Sequence, residues 1–363
     1  MIKINRRDLI SGMASAGMVT TNSLLTTGAF AMGDHKLIIP PEEDPHEATF
    51  MQWPVNRMVH PDQEFLNILQ HTIADIANHI VEFGPVIMLM AKTDQQKAQR
   101  YLSSKVKIWH ISTEDLWARD SGPLFAKDEN GRLVISHIQF NGWGEKQVNQ
   151  KDSKIANQVA KRLTIPIIPS GLKGEAGGVE HDGHGLLMAH ESSWVNKNRN
   201  PKMSRDEVEQ RLLKAYGATR MIWSEGLYGL DITDYHIDSL ARFTGPSRVL
   251  IDLPDTPDMN DPFHLAALDT YDILKAEGLD ITIIPEPNKR RINSEDFVTS
   301  YANYYVCNGA VIAAQFGDKK TDEIAINTLK KHYPNRDIIT LNVDALGEVG
   351  GGIHCATQQM PKV

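Results

Sequence analysis

Five times along this chain of 363 residues, an apolar strand, an amphipathic helix and a second apolar strand follow in that order. The first unit covers residues 86–90, a short helix near 95–102, and 107–111. The second covers 133–138, 155–163 and 165–168, and the third 185–189, 206–216 and 220–223. The fourth covers 249–253, 264–277 and 281–284, and the fifth 311–314, 322–332 and 338–341. A further helix is predicted over 64–82. Apolar residues recur at helical spacing in the helices, as Ile155, Val159 and Leu163 do, while the strands are continuous apolar runs. One such unit cannot bury its apolar face alone, so copies spaced roughly 40–60 residues apart predict packing against their neighbours. An open doubly wound sheet is the competing arrangement. Its dinucleotide-binding version lacks the Gly-x-Gly-x-x-Gly turn after the first strand. A polar or glycine-bearing motif follows the outgoing strand of every unit. In a closed α/β ring of five units, those motifs meet at one end of the axis.

The first 31 residues predict an export signal. Lys3, Arg6 and Arg7 make a basic start, a weakly apolar run from Leu9 to Thr27 follows, and Ala29-Phe30-Ala31 supplies a small-x-small cleavage pattern. The pair in Asn5-Arg6-Arg7-Asp8-Leu9-Ile10 resembles a twin-arginine signal, which exports protein already folded. The run is too rich in Ser, Thr and Gly for a membrane span, which takes about 20 mostly apolar residues. The expected organisation is a signal over 1–31 and one catalytic domain over 32–363, periplasmic or secreted. Removing the signal, with three basic residues and one acidic, takes the formal charge from −8 to −10. Such an excess disfavours nucleic acid and anionic membrane surfaces as partners and suits cationic ligands. Of the two cysteines, Cys307 lies in the apolar run Tyr304-Tyr305-Val306-Cys307 and is expected in a strand, which leaves Cys355 free.

The motifs at the unit ends are Trp117-Ala118-Arg119-Asp120, Glu175-Ala176-Gly177-Gly178, His236-Ile237-Asp238, Ser300-Tyr301-Ala302-Asn303 and the segment around Cys355. Gly350, Gly351 and Gly352 precede that thiol closely, and glycines let a ligand approach the backbone. Cys355 is therefore a candidate nucleophile; the competing reading is a small buried core residue. His236 stands two residues before Asp238, so on a strand both would face one way. An imidazole can act as acid and as base near neutrality. Asp120, Glu175 and Asp238 put three carboxylates around one pocket, and three anions together call for a cation. A planar, always-charged guanidinium fits that set better than a metal. His181-Asp182-Gly183-His184 matches no zinc spacing and is expected to be a surface loop.

Several of these segments carry a resemblance. Trp117-Ala118-Arg119-Asp120-Ser121-Gly122-Pro123, Asn196-Lys197-Asn198-Arg199-Asn200-Pro201, His236-Ile237-Asp238, Ser300-Tyr301-Ala302-Asn303-Tyr304-Tyr305 and Gly351-Gly352-Ile353-His354-Cys355-Ala356-Thr357-Gln358-Gln359 resemble the agmatine deiminase / bacterial peptidylarginine deiminase family. Glu47-Ala48-Thr49-Phe50-Met51-Gln52-Trp53-Pro54 is similar to the family's opening, and the likeness covers about residues 40–360. It implies the five-bladed αβ-propeller of guanidine-modifying enzymes. It also implies that Cys355 attacks a guanidinium carbon, ammonia leaves, and water hydrolyses the thiouronium. By the same likeness His236 moves the protons, Asp120 and Asp238 hold the guanidinium nitrogens, and Glu175 is the site glutamate. Trp117 becomes a pocket wall, Asn303 a polar contact of the thiol, and Gly352 part of the substrate pocket. No metal or organic cofactor is implied, and the expected partner is a small cationic guanidine.

Agmatine, giving N-carbamoylputrescine, is the leading substrate, with peptidyl or free arginine, giving citrulline, as the main rival. Amidino transfer and guanidinium or polyamine binding without turnover are further alternatives. Two departures from the agmatine enzymes stand out. Asp231-Ile232-Thr233 has one acid where they have two, and Glu175-Ala176-Gly177-Gly178 interrupts a Glu-Gly-Gly motif.

Overall fold

The computed structural model describes residues 36–292, 294 and 297–363, so the expected signal over 1–31 lies outside the described residues. Strand β1 (His46–Gln52) leads through the helix Gln63–Ile80 to β2 (Val86–Met90), which runs parallel to it, and β3 (Lys107–His110) adds beside β2. Then β4 (Leu124–Lys127) turns back antiparallel to β5 (Leu133–Gln139), and the helix Ile155–Leu163 crosses to β6 (Ile167–Lys173), parallel to β5. The same build recurs in β7 (Val179–His181), β8 (Leu186–His190), helix Arg205–Tyr216 and β9 (Arg220–Ser224). It recurs again in β10 (Ala241–Gly245), β11 (Arg248–Leu253), helix Pro262–Ala276 and β12 (Asp280–Pro285). The fifth copy is β13 (Tyr305–Cys307), β14 (Ala310–Ala314), helix Lys319–His332 and β15 (Asp337–Leu341). Last, β16 (Gln358–Pro361) pairs antiparallel with β1 and closes the ring. The fold is a five-bladed αβ-propeller.

Each helix starts and packs for local reasons. Asp62 Oδ1 accepts from the backbone N–H groups of Glu64 and Phe65, and Ser204 and Glu207 form a reciprocal capping box. Asp261 caps the next helix with Pro262 at its first position, where a missing N–H costs nothing. In Gln63–Ile80 the buried residues Leu66, Leu69, Ile73, Ala77 and Ile80 fall on one stripe. Middle strands β2, β8 and β14 are buried at every residue, because the helices cover one face and the ring interior the other.

The structure corrects the repeat in one place. The unit equivalent to the other four is β16, β1, helix Gln63–Ile80 and β2, not the stretch 86–111. Within that stretch only Gln95–Ala98 is α-helical, and β3 is an added fourth strand. Cys307 ends β13 as a buried, unpaired thiol, and Cys355 is unpaired too. Among the described residues, no helix is long and apolar enough to cross a membrane.

Candidate active site

Five unit ends converge. Asp120 lies on the single turn Ala118–Ser121 after β3, and Glu175 follows β6. His236 and Asp238 follow β9, Asn303 precedes β13, and Cys355 lies between β15 and β16. His236 and Asp238 are not on a strand, as the spacing suggested. His236 caps the 3₁₀ turn Ile237–Ser239. They still reach one point. A Cβ added to Gly177 would lie 2.7 Å from Asp120 Oδ1, 2.9 Å from His236 Nδ1 and 3.1 Å from Asp238 Oδ2. Only a hydrogen fits there, so glycine sets how closely groups from three blades approach.

Cys355 Sγ stands 3.2 Å from Asn303 Nδ2 and 3.5 Å from Asp238 Oδ2. Burial, then the carboxylates of Asp238 and Asp120, push this thiol well above its ordinary range, against the Gly352 and Asn303 hydrogen bonds. A Cβ on Gly352 would sit 2.5 Å from Asn303 Oδ1, so that glycine makes room for the amide. Trp117 is buried, and its ring would lie 2.6 Å from a Cβ on Gly351.

The His236 ring is clasped by two acids. Its Nε2 is 3.2 Å from Glu175 Oε2 and its Nδ1 3.7 Å from Asp120 Oδ2. Burial alone would lower its pKa, but Asp120, Glu175 and Asp238 carry it up to about 9. Asp120 is pushed up to about 6, chiefly by burial, with His236 pulling down and Asp238 and Glu175 pushing up. Trp143 Nε1 donates to Asp120 Oδ2 at 2.8 Å. That tryptophan holds a left-handed φ of 53° between two glycines, a strained conformation for a bulky side chain. Asp234 and Tyr235, at φ 59° and 67°, turn the chain sharply before His236. The turn is pinned where His190 Nδ1 meets the carbonyl oxygen of Tyr235 at 2.7 Å and the two rings stack.

Asp238 is fully buried, and its Oδ1 has no hydrogen-bond partner among the described residues. Glu175 is not so free. Arg199 Nε grips it at 2.9 and 3.1 Å, while Arg199 Nη1 reaches Asp234 at 2.6 Å. The cation among the carboxylates thus comes partly from the protein itself. Arg199, Trp143, His354 and Glu42 received no role from sequence. Arg199 and His354 lie inside the segments that carry the resemblance, and the rule that a buried carboxylate needs a partner asks for such an arginine.

Asp231 Oδ1 accepts from Thr233 N, Thr233 Oγ1 and Tyr235 N, so it serves the turn before His236. Of His181-Asp182-Gly183-His184, expected as a surface loop, His181 ends β7 and the other three begin the connection to β8, where Asp182 accepts from the N–H groups of His184 and Leu186. His184 is exposed, whereas His181 lines a cavity with Glu42, Arg119, Glu180, Arg242 and His354. That cavity touches neither Cys355 nor His236.

A five-bladed ring that brings a thiol, an imidazole and carboxylates together from the ends of its units belongs with the guanidine-modifying αβ-propellers. The model of the Porphyromonas-type peptidyl-arginine deiminase family matches residues 38–361, and the chain belongs to that family. It is accordingly a hydrolase of C–N bonds in linear amidines. A Streptomyces coelicolor protein named "Putative agmatine deiminase" is 32% identical over 337 residues, 89% of this chain and 98% of its own. The agmatine deiminase of Enterococcus faecalis is similar with a TM-score of 0.80 at 25% identity, over 90% of this chain and 96% of that one. The C. jejuni agmatine deiminase with substrate bound gives 0.81 at 25% identity, over 90% and 97%.

Proposed function

We propose that the chain is an exported guanidine deiminase that hydrolyses agmatine to N-carbamoylputrescine and ammonia through a thiouronium on Cys355. The observation that carries this reading is the unpartnered Asp238 Oδ1 on a carboxylate whose other oxygen lies 3.5 Å from the thiol. A guanidinium gripped there presents its carbon to Sγ, and its charge offsets the cost of the thiolate. In the first step Cys355 gives its proton to solvent as the cation binds; the C–S bond then forms, and His236 protonates the departing nitrogen as the C–N bond breaks. In the second, His236 takes a proton from water, the C–O bond forms and the C–S bond breaks, leaving a ureido product. Asp120 and Asp238 hold the guanidinium nitrogens, Glu175 orients His236, Asn303 contacts the thiol, and Trp117 and Gly352 shape the pocket.

Agmatine is favoured by the names of the S. coelicolor and E. faecalis relatives. The description of the family favours peptidylarginine as the rival substrate. The test is to incubate purified protein with agmatine, arginine and an arginine peptide and to measure ammonia and ureido product. Turnover of agmatine, abolished in Cys355→Ser, is expected. Citrulline from the arginine substrates alone would move the assignment to the rival, and activity surviving in Cys355→Ser would end the covalent route. Saturable binding of guanidines without product would make the chain a binding protein.

A further inference from the structure

Asp238 is held from behind. Its Oδ2 meets His354 Nδ1 at 2.7 Å, and Nε2 of the same ring meets Glu42 Oε2 at 3.0 Å. Each ring nitrogen of His354 thus faces a carboxylate oxygen. All three residues are buried. Glu42 is fixed in its turn by Arg119 Nη2 at 2.9 Å, Arg242 Nη2 at 3.2 Å and the Val306 N–H at 2.8 Å. The His354 backbone N–H also donates to Asn303 Oδ1 at 3.0 Å, and the Asn303 Nδ2 lies against the thiol. His354 therefore touches both side chains that touch Cys355 Sγ.

We propose that Glu42 and His354 are positioning residues, a carboxylate–imidazole–carboxylate relay that fixes the rotamer of Asp238 and keeps it anionic beside Cys355. The proposal rests on the guanidine deiminase reading above. A carboxylate with one oxygen tied at 2.7 Å to a ring that is itself held at its far nitrogen can turn neither that oxygen nor its partner, so Oδ1 stays aimed where a guanidinium nitrogen must bind. Without the relay, Asp238 would be free to rotate toward the thiol or to take up a proton.

Charged and titratable groups face Asp238 from several elements, Glu180 on β7 among them. His236 lies on its own turn, Asp120 on the turn after β3, Arg242 on β10, and His354 and Cys355 on the segment before β16. His354 in turn faces Glu42 and, at 4.0 Å, Glu180. Burial raises the Asp238 pKa, and the His354 hydrogen bond and charge, followed by His236 and Arg242, bring it below the usual carboxylate range. Losing the His354 donor shifts that balance upward.

Two amide substitutions separate the relay's ends. In His354→Asn the amide nitrogen takes the place of Nδ1 and still donates to Asp238. In His354→Gln it takes the place of Nε2 and meets only Glu42. The expected loss in kcat/KM for His354→Gln is about 10–100-fold, the range for a hydrogen bond to a charged group. As the Asp238 ionisation rises toward that of Asp120, its acid limb should steepen and move up. His354→Asn should recover part of both effects, and Glu42→Gln should move the limb in the same direction by less.

Thermal melting of each variant separates misfolding from chemistry. Alkylation of Cys355 by a cationic haloamidine, followed against pH, gives a readout independent of turnover. Here too His354→Gln should shift the acid limb. Equal losses in the Asn and Gln variants with a wild-type pH profile would overturn the relay and leave a structural ion cluster. If the wild type turned over no guanidine while the alkylation limb moved as stated, the relay would stand and the substrate reading would fall.

Discussion

Two ionisations around His236 set what the site can do at a given pH. In the mechanism proposed above, Asp120, raised to about 6, must be anionic to hold a guanidinium, so activity is expected to fall as pH drops through that value. His236, raised to about 9, must carry a proton to release ammonia, so activity is lost as pH rises through 9. The expected kcat/KM profile is a bell with limbs near those values, which belong to the coupled pair as a whole. Trp143→Phe keeps the ring and removes the donor to Asp120 Oδ2, so the acid limb should move up while the alkaline limb stays. An unchanged acid limb would mean that Trp143 only fills space. At this scale the sequence was informative about the groups that end each unit, since Asp120, Glu175, His236, Asp238, Asn303 and Cys355 all meet. It was silent on the groups that hold them. Glu42 reaches its partners across separations such as the 312 residues to His354, which no local pattern reveals. Trp143 depends on a backbone strain that composition does not show.

At the scale of elements, periodicity served helices and parallel strands well. The helix Ile155–Leu163 spans the same residues in both readings, because a nine-residue amphipathic stripe is long enough to register. Of the inner strands, β13 was legible as the apolar run that ends at Cys307, whereas β4, β7, β10 and β16 escaped notice, being only three to five residues long. The first unit was displaced for a related reason, since its inner strand arrives from the far end of the chain. Strand β16 matters beyond its four residues. Its pairing with β1 joins His46 to Pro361 and Phe50 to Gln358. Deleting residues 358–363 should leave β1 with an open edge and Cys355 without an anchor. The expected outcome is a lower, broadened thermal transition and loss of alkylation at Cys355. A sharp melt at the full-length temperature would show that closure is dispensable.

For the whole molecule, the formal charge of −8 and the clustered carboxylates of the site make an anionic target for a cationic substrate. The proposed twin-arginine export adds a demand on the complete ring, which must close before it crosses a membrane. Replacing Arg6-Arg7 with Lys-Lys should trap the protein in the cytoplasm, as fractionation and immunoblotting would reveal. Unchanged export would remove that route. The closure also has a consequence in time. Synthesis runs from the amino end, so β1 emerges hundreds of residues before β16, and Cys355 follows all five long helices out of the ribosome. A growing chain therefore carries a bare strand edge through most of its translation, the kind of edge that templates aggregation. Under the proposed mechanism it also lacks its nucleophile, Cys355. The reactive thiol is made only as the strand that seals the ring is made, so a half-synthesised chain cannot modify the guanidines around it.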